Sequence, residues 1–117
     1  STSAALIISQ KAAENGFEWR NLDEIWDKLY EELEELKDAL RIDKPSESES
    51  ELGDVLFTLI NIARWNKLSI EEGLAKTNQK FLERFAYIEE NVEGELNSQS
   101  KEKLEQYWKL AKINLKH

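Results

Sequence analysis

Four carboxylates carry the chemistry this chain could do. Glu32 and Glu35 lie three residues apart, and Glu51 and Asp54 repeat the interval. Residues three or four apart share one face of a helix, so each pair sets two carboxylates side by side on a helical segment. Around the first pair, Leu22, Ile25, Leu29, Leu33, Leu36 and Leu40 recur at intervals of three and four, the pattern of one helix face. A stripe centred on Leu29 and Leu36 places Lys28, Glu32 and Glu35 in a row along its edge. Glu31 and Asp38 point further out, and Glu34 lies on the opposite shoulder. Alone, such a row is what a solvated charged flank also looks like.

The second pair sits in different company. Leu52, Val55, Leu56, Phe57, Leu59, Ile60, Ile62, Ala63 and Trp65 make the segment apolar almost all round, which predicts burial on every side. Its few polar residues, Glu51, Asp54, Thr58 and Asn61, fall three, four and three apart and so share one stripe. Acids in a first helical turn can remain solvated and favour the helix dipole. That accounts for Glu51 better than for Asp54, and for neither Thr58 nor Asn61. Antiparallel packing of the two segments would bring four carboxylates together, a repulsion relieved by protonation or by a divalent cation. Oxygen ligands without His or Cys favour Mg²⁺, with Mn²⁺ as a substitute, and Mg²⁺ commonly bridges to phosphates. Lys80 and Arg84, at i and i+4, could clamp phosphate oxygens or pair with acids such as Glu83 and Glu89.

The elements that must position these groups are helices. Leu, Glu, Lys and Ala abound, and there is one Pro and four Gly in 117 residues, which predicts an all-α fold, a bundle of four to five helices in a single domain over residues 1–117. The first helix covers about Ser3–Asn15, with Gly16 placed to terminate it. The second starts at an Asn21 N-cap with Glu24 in the capping-box position. Pro45 and the serines of Lys44–Ser50 read as a loop, and a third helix follows from about Glu49 to Asn66. A fourth runs from Ser69, with Glu72 in a capping-box position, to about Val92. Residues 93–99 form a polar break before a fifth helix over Ser100–Leu115, whose buried side is Leu104, Tyr107, Trp108 and Ala111.

Composition excludes other chemistries. The net charge is −8, and residues 21–54 hold thirteen acids against four bases, so the acidity is local. No basic stripe suits nucleic acid. There is no Cys, and the single His117 is the last residue, which excludes thiolate and histidine metal sites and leaves His117 without an expected role. No apolar run suits a membrane span or a signal peptide, so a cytoplasmic location without membrane partners is expected. Four Trp and the apolar third helix point to an oligomer, dimer or tetramer.

Glu32-x-x-Glu35 followed by Glu51-Leu-Gly-Asp54 resembles the E-x-x-E…E-x-x-D signature of the MazG family. The likeness extends through Asp27–Glu35, Glu51–Phe57, Asn61-Ile-Ala-Arg64 and Thr77–Phe85, and also through Asn15–Trp19 and the Trp108…Lys112 helix. It implies a dimerising helical fold and Mg²⁺-dependent cleavage of nucleoside triphosphates between the α- and β-phosphates, releasing a monophosphate and pyrophosphate. By position it implies Glu32, Glu35, Glu51 and Asp54 as metal ligands, and Lys80 and Arg84 as phosphate contacts. Lys28 would be a further contact, and the Trp108 and Lys112 helix would also meet substrate. Glu35 is expected to orient the attacking water, with Glu31 as the alternative. Longer members carry two such domains, and this chain resembles either the C-terminal, active one or a single-domain relative. The family often has a second Arg beside Arg84, where Glu83 stands here. Asn61 could bond sugar or base, and Phe17, Trp19 and Trp108 could stack on a base or belong to core or interface. Two other readings stay open: a pyrimidine-specific relative of the dimeric dUTPases, and a non-catalytic acidic dimerisation module.

Overall fold

The structure is a computed structural model that describes residues 1–117. It is all-helical, with five α-helices and no strand: α1 (Thr2–Glu14), α2 (Leu22–Arg41), α3 (Pro45–Trp65), α4 (Ile70–Asn91) and α5 (Lys101–Asn114). No helix is long and apolar enough to cross a membrane. The chain divides into two compact units, Ser1–Glu71 and Glu72–His117.

In the first unit, α2 and α1 both lie against α3. Helix α1 ends as its sequence predicts. Gly16 takes φ 93°, and the Phe17 and Gly16 N–H groups donate to the Ala12 and Ala13 carbonyls at 2.9 and 3.1 Å, the paired bonds of a Schellman motif. Asn21 caps α2 by accepting the Glu24 N–H at 3.0 Å. Glu24 reaches back one residue further than a capping box requires, to the Arg20 N–H at 2.6 Å.

Helix α3 starts four residues earlier than expected. Pro45 occupies its first turn, where the missing N–H costs nothing and the fixed φ suits a helix. The proline begins the helix instead of belonging to a longer loop. The connection shrinks to Ile42–Lys44 with Asp43 at φ 52°, and α2 and α3 form a tight helical hairpin. The expected burial of α3 on every side is not met. Val55 and Ile60 are buried, but Leu52 and Leu56 are about half exposed, because two neighbouring helices cannot enclose a third.

The core of this unit is Ile25, Leu29, Ala39, Val55 and Ile60. The buried track of α2 therefore runs through Ile25, Leu29, Glu32 and Ala39, while Leu33 and Leu40 face outward. Glu32 lies in the buried face and not on its shoulder.

In the second unit, α4 is followed by a 3₁₀ turn over Leu96–Ser98 and by α5, whose N-cap Ser100 accepts the Lys103 N–H at 3.2 Å. Ile88 and Ala111 are buried, and Leu104, Tyr107 and Trp108 are half-buried on the side of α5 predicted to face inward. The Phe81 and Trp108 rings lie 5.3 Å apart, and Asn114 donates to the Tyr87 hydroxyl at 3.0 Å.

Candidate functional site

The helical hairpin brings carboxylates together by simple counting. Glu35 lies six residues before the last residue of α2, and Glu51 lies six residues after the first of α3. Each is thus about 9 Å from the turn along its own helix. Glu32 and Asp54 each lie nine residues from it, one helical turn further. A short antiparallel connection sets equal counts at equal heights.

Three of the four acids converge. One carboxylate oxygen from each of Glu32, Glu35 and Glu51 lies within 4.8 Å of the others. Glu32 is only 5 % exposed, Glu51 is half-buried and Glu35 is exposed. Because α3 begins at Pro45, Glu51 lies beyond the first turn, so the helix dipole does not account for it. Lys28 satisfies one Glu32 oxygen at 3.0 Å and reaches Glu31 at 3.5 Å, and the hydrogen bond to Glu32 is the main cause that raises the Lys28 pKa. The other oxygens, Glu32 Oε2 and Glu51 Oε2, are buried without any hydrogen-bond partner. An unsatisfied buried acceptor costs about 1–3 kcal/mol. The charge of Glu32, then burial, then Glu51 push the Glu35 carboxyl above its ordinary value. Convergent carboxylates whose Glu32 Oε2 and Glu51 Oε2 oxygens have no donor fit a hard divalent cation, so this cluster could hold a metal ion.

The rest of the α3 row separates. Asp54 is exposed and does not join the three converging oxygens. Thr58 is buried, and its hydroxyl donates to the Asp54 carbonyl at 2.9 Å, an intrahelical bond that satisfies it without a ligand. Asn61 is buried in a different network. Its Oδ1 accepts from the Ser9 hydroxyl of α1. Ser9 in turn accepts from Arg64 Nε at 2.7 Å, and Arg64 grips both Glu18 oxygens at 2.7 Å. That fork is the main cause holding the Glu18 carboxyl below its ordinary value. Beside this chain of bonds lies a cavity of about 400 Å³ whose lining includes Ser9, Phe17, Trp19, Phe57 and Asn61. The structure thus gathers Asn61, Phe17 and Trp19, three residues with only loosely related positions in the sequence. Ser9, Glu18 and Arg64 were not singled out for a role. The signals for them are the three-residue interval between Asn61 and Arg64 and the family-like segments Asn15–Trp19 and Asn61–Arg64, which contain Glu18 and Arg64 but not Ser9.

The remaining candidates belong to the second unit. Lys80 is exposed on α4. Arg84 stacks 5.2 Å over the Trp108 ring and donates from Nε to His117 Nδ1 at 2.9 Å. His117 Nε2 lies 2.9 Å from Glu83. His117, expected to be idle, therefore steadies Arg84 and Glu83. A sequence separation of thirty-three residues hides that contact from any local pattern. Trp108 and Lys112 border an apolar cavity of about 510 Å³ with Phe81, Phe85 and Ile88.

Residues 20–88 match the MazG nucleotide pyrophosphohydrolase domain. The chain is 39 % identical over 113 residues, 94 % of its length, to the "Nucleoside triphosphate pyrophosphohydrolase/pyrophosphatase MazG" of Thermotoga maritima. It is 34 % identical over 110 residues, 90 % of its length, to the "Nucleoside triphosphate pyrophosphohydrolase" of Escherichia coli. It spans 43 % and 42 % of those two proteins. A 66-residue stretch, 54 % of the chain, is 48 % identical to 14 % of the "Uncharacterized protein YabN" of Bacillus subtilis.

Proposed function

The chain belongs to the MazG nucleotide pyrophosphohydrolase family, and from that premise we propose that it hydrolyses nucleoside triphosphates to monophosphates and pyrophosphate with Mg²⁺ as cofactor. The observation that carries this reading is the pair of buried, unpartnered oxygens of Glu32 and Glu51 converging with Glu35. Glu32, Glu35 and Glu51 would hold the ion, with Asp54 as a fourth ligand at the level of Glu32 and Mn²⁺ as a substitute. The bound cation would neutralise phosphate charge and acidify a water.

The chain's own residues supply the rest. Glu35 is the exposed member of the cluster, and it orients the attacking water toward the α-phosphorus and takes up its proton; Glu31 is the alternative. Lys28, which pairs with Glu32 at 3.0 Å, would be a further phosphate contact at the edge of the carboxylate cluster. Lys80 and Arg84 are proposed as further phosphate contacts that favour the pyrophosphate leaving group, and Trp108 and Lys112 as further substrate contacts. Their support is the likeness to the family and the pairing of a cation with a ring. The nucleoside is placed in the Ser9–Asn61 cavity, where Phe17 and Trp19 offer stacking faces. A homodimer or dimer of dimers in the cytoplasm completes the reading.

The test is pyrophosphate release from a panel of ribo- and deoxynucleoside triphosphates with Mg²⁺, on the wild type and on Glu35→Gln and Asp54→Asn. Full turnover by both folded variants would overturn the mechanism. Orthophosphate in place of pyrophosphate would mean another phosphohydrolase, and no release from any nucleotide would mean a binding module.

A further inference from the structure

Resting on the placement of the nucleoside in the Ser9–Asn61 cavity, we propose that Ser9 and Arg64 are positioning residues that lock the Asn61 amide with its NH₂ group toward the base. The site then selects bases that present an oxo group there over those that present an amino group.

The Arg64 guanidinium is always charged and can only donate. Two of its N–H groups are fixed on Glu18, at 2.7 Å each, and Glu18 is itself tied to the Trp19 N–H at 3.0 Å. Another of the guanidinium's five N–H groups, on Nε, donates to Ser9 Oγ at 2.7 Å. Ser9 is 3 % exposed, so its own proton needs an acceptor inside the protein. That acceptor is Asn61 Oδ1. Turning the amide over would leave the hydroxyl proton facing N–H groups, with no acceptor. The direction Glu18–Arg64–Ser9–Asn61 is therefore set from its charged end. Asn61 Nδ2 has no partner of its own, and Asn61 lines the cavity.

An N–H pair fixed in a cavity discriminates by mismatch. A carbonyl oxygen of a base completes the bond, whereas an exocyclic amino group sets donor against donor and strands both. A site built to hydrogen-bond one group rejects the analogue lacking it far more strongly than an apolar wall does. ITP against ATP and UTP against CTP are the useful pairs, because each exchanges oxo for amino on one ring system.

The experiment measures kcat/KM for pyrophosphate release on both pairs with the full chain and Mg²⁺. The wild type is expected to favour the oxo member of at least one pair by about tenfold or more. Ser9→Ala removes the hydroxyl that orients the amide, and Arg64→Met frees that hydroxyl to turn round. Each should bring the ratio close to one, chiefly through KM. Because the ratio is taken within one variant, a general loss of folding or turnover does not move it. A wild type that favours the amino members, or both variants keeping the wild-type ratio, would overturn the proposal. Asn61→Ala separates the two levels. If it alters no KM for any nucleotide, the cavity does not hold the nucleoside and the underlying placement fails. If it raises KM while Ser9→Ala leaves the ratio intact, only the positioning fails.

Discussion

Glu32→Gln should stabilise the metal-free protein while destroying its response to metal. The wild-type carboxylate is 5 % exposed, and its Oε2 has no partner. That orphaned acceptor costs about 1–3 kcal/mol, and repulsion from Glu35 and Glu51 adds to it. The compensating bond to Lys28 at 3.0 Å involves a side chain that is 38 % exposed, so it returns no more than about 1 kcal/mol. Glutamine keeps an oxygen for Lys28 and brings an NH₂ group that can donate toward the orphaned Glu51 Oε2. The balance is a gain of about 1–2 kcal/mol. With an unfolding entropy of about 0.25 kcal/mol/K for a chain this long, Tm in chelator should rise by roughly 4–8 °C. In the wild type, Mg²⁺ at a hundredfold excess over its Kd adds about 2.7 kcal/mol, or roughly 10 °C. The variant should lose that increment together with at least about a hundredfold of its pyrophosphate release. Scanning calorimetry in chelator and in Mg²⁺, beside the release assay, decides the matter. A fall in the chelator Tm with the Mg²⁺ increment intact would show that Glu32 is a structural partner of Lys28 and that the cation-site reasoning is wrong.

The native Glu35 carboxyl, raised chiefly by Glu32, holds its proton more tightly than the unfolded chain does. Metal-free stability attributable to it therefore declines as pH rises above the ordinary value of 4.5, and the loss is complete above the raised value. The wild-type Tm in chelator should fall relative to that of Glu35→Gln across this window, and parallel profiles for the two proteins would contradict the coupling. Lys67, exposed at the end of α3, adopts φ 56° while its N–H closes on the Arg64 carbonyl at 3.1 Å. Lys67→Gly should relieve left-handed strain and raise stability by about 0.5–1 kcal/mol, read as a shift of the urea midpoint with unchanged slope.

What was legible in the sequence was what depends on intervals of three and four. The five helices, the Gly16 terminus, the Asn21 cap and the pairing of Glu32-x-x-Glu35 with Glu51 all follow from local periodicity. What was not legible depends on which of two competing local rules wins. Pro45 obeys the rule for a first helical turn, not the rule for a breaker, and only the packing of α3 on α2 selects between them. The apolar stripe of α2 has two possible centres, because Leu33 and Leu40 extend it on one side and Ala39 on the other. Contact with α3 chooses the side that contains Glu32, and so converts a surface acid into a buried one. Ser9 and His117 act through contacts more than thirty residues away in the chain, which no periodicity encodes.

These two corrections bear directly on the chemistry. A loop reaching to Ser50 would have left Glu51 at a fraying helix start, free to swing into water and of little use as a ligand. The three-residue connection instead makes α2 and α3 a single rigid hairpin, with Glu35 and Glu51 six residues from the turn and Glu32 and Asp54 nine residues from it. The repeated three-residue spacing is then the pitch of two antiparallel helices read outward from one turn, and the fifteen residues between Glu35 and Glu51 are two six-residue arms joined by that turn. The backbone of such a cluster cannot relax by sliding one helix away from the other, because the helices are held together by Ile25, Leu29, Val55 and Ile60. The repulsion that remains is relieved by a proton on Glu35, whose carboxyl is raised chiefly by Glu32, or by a divalent cation, so proton and metal would compete for the same cluster.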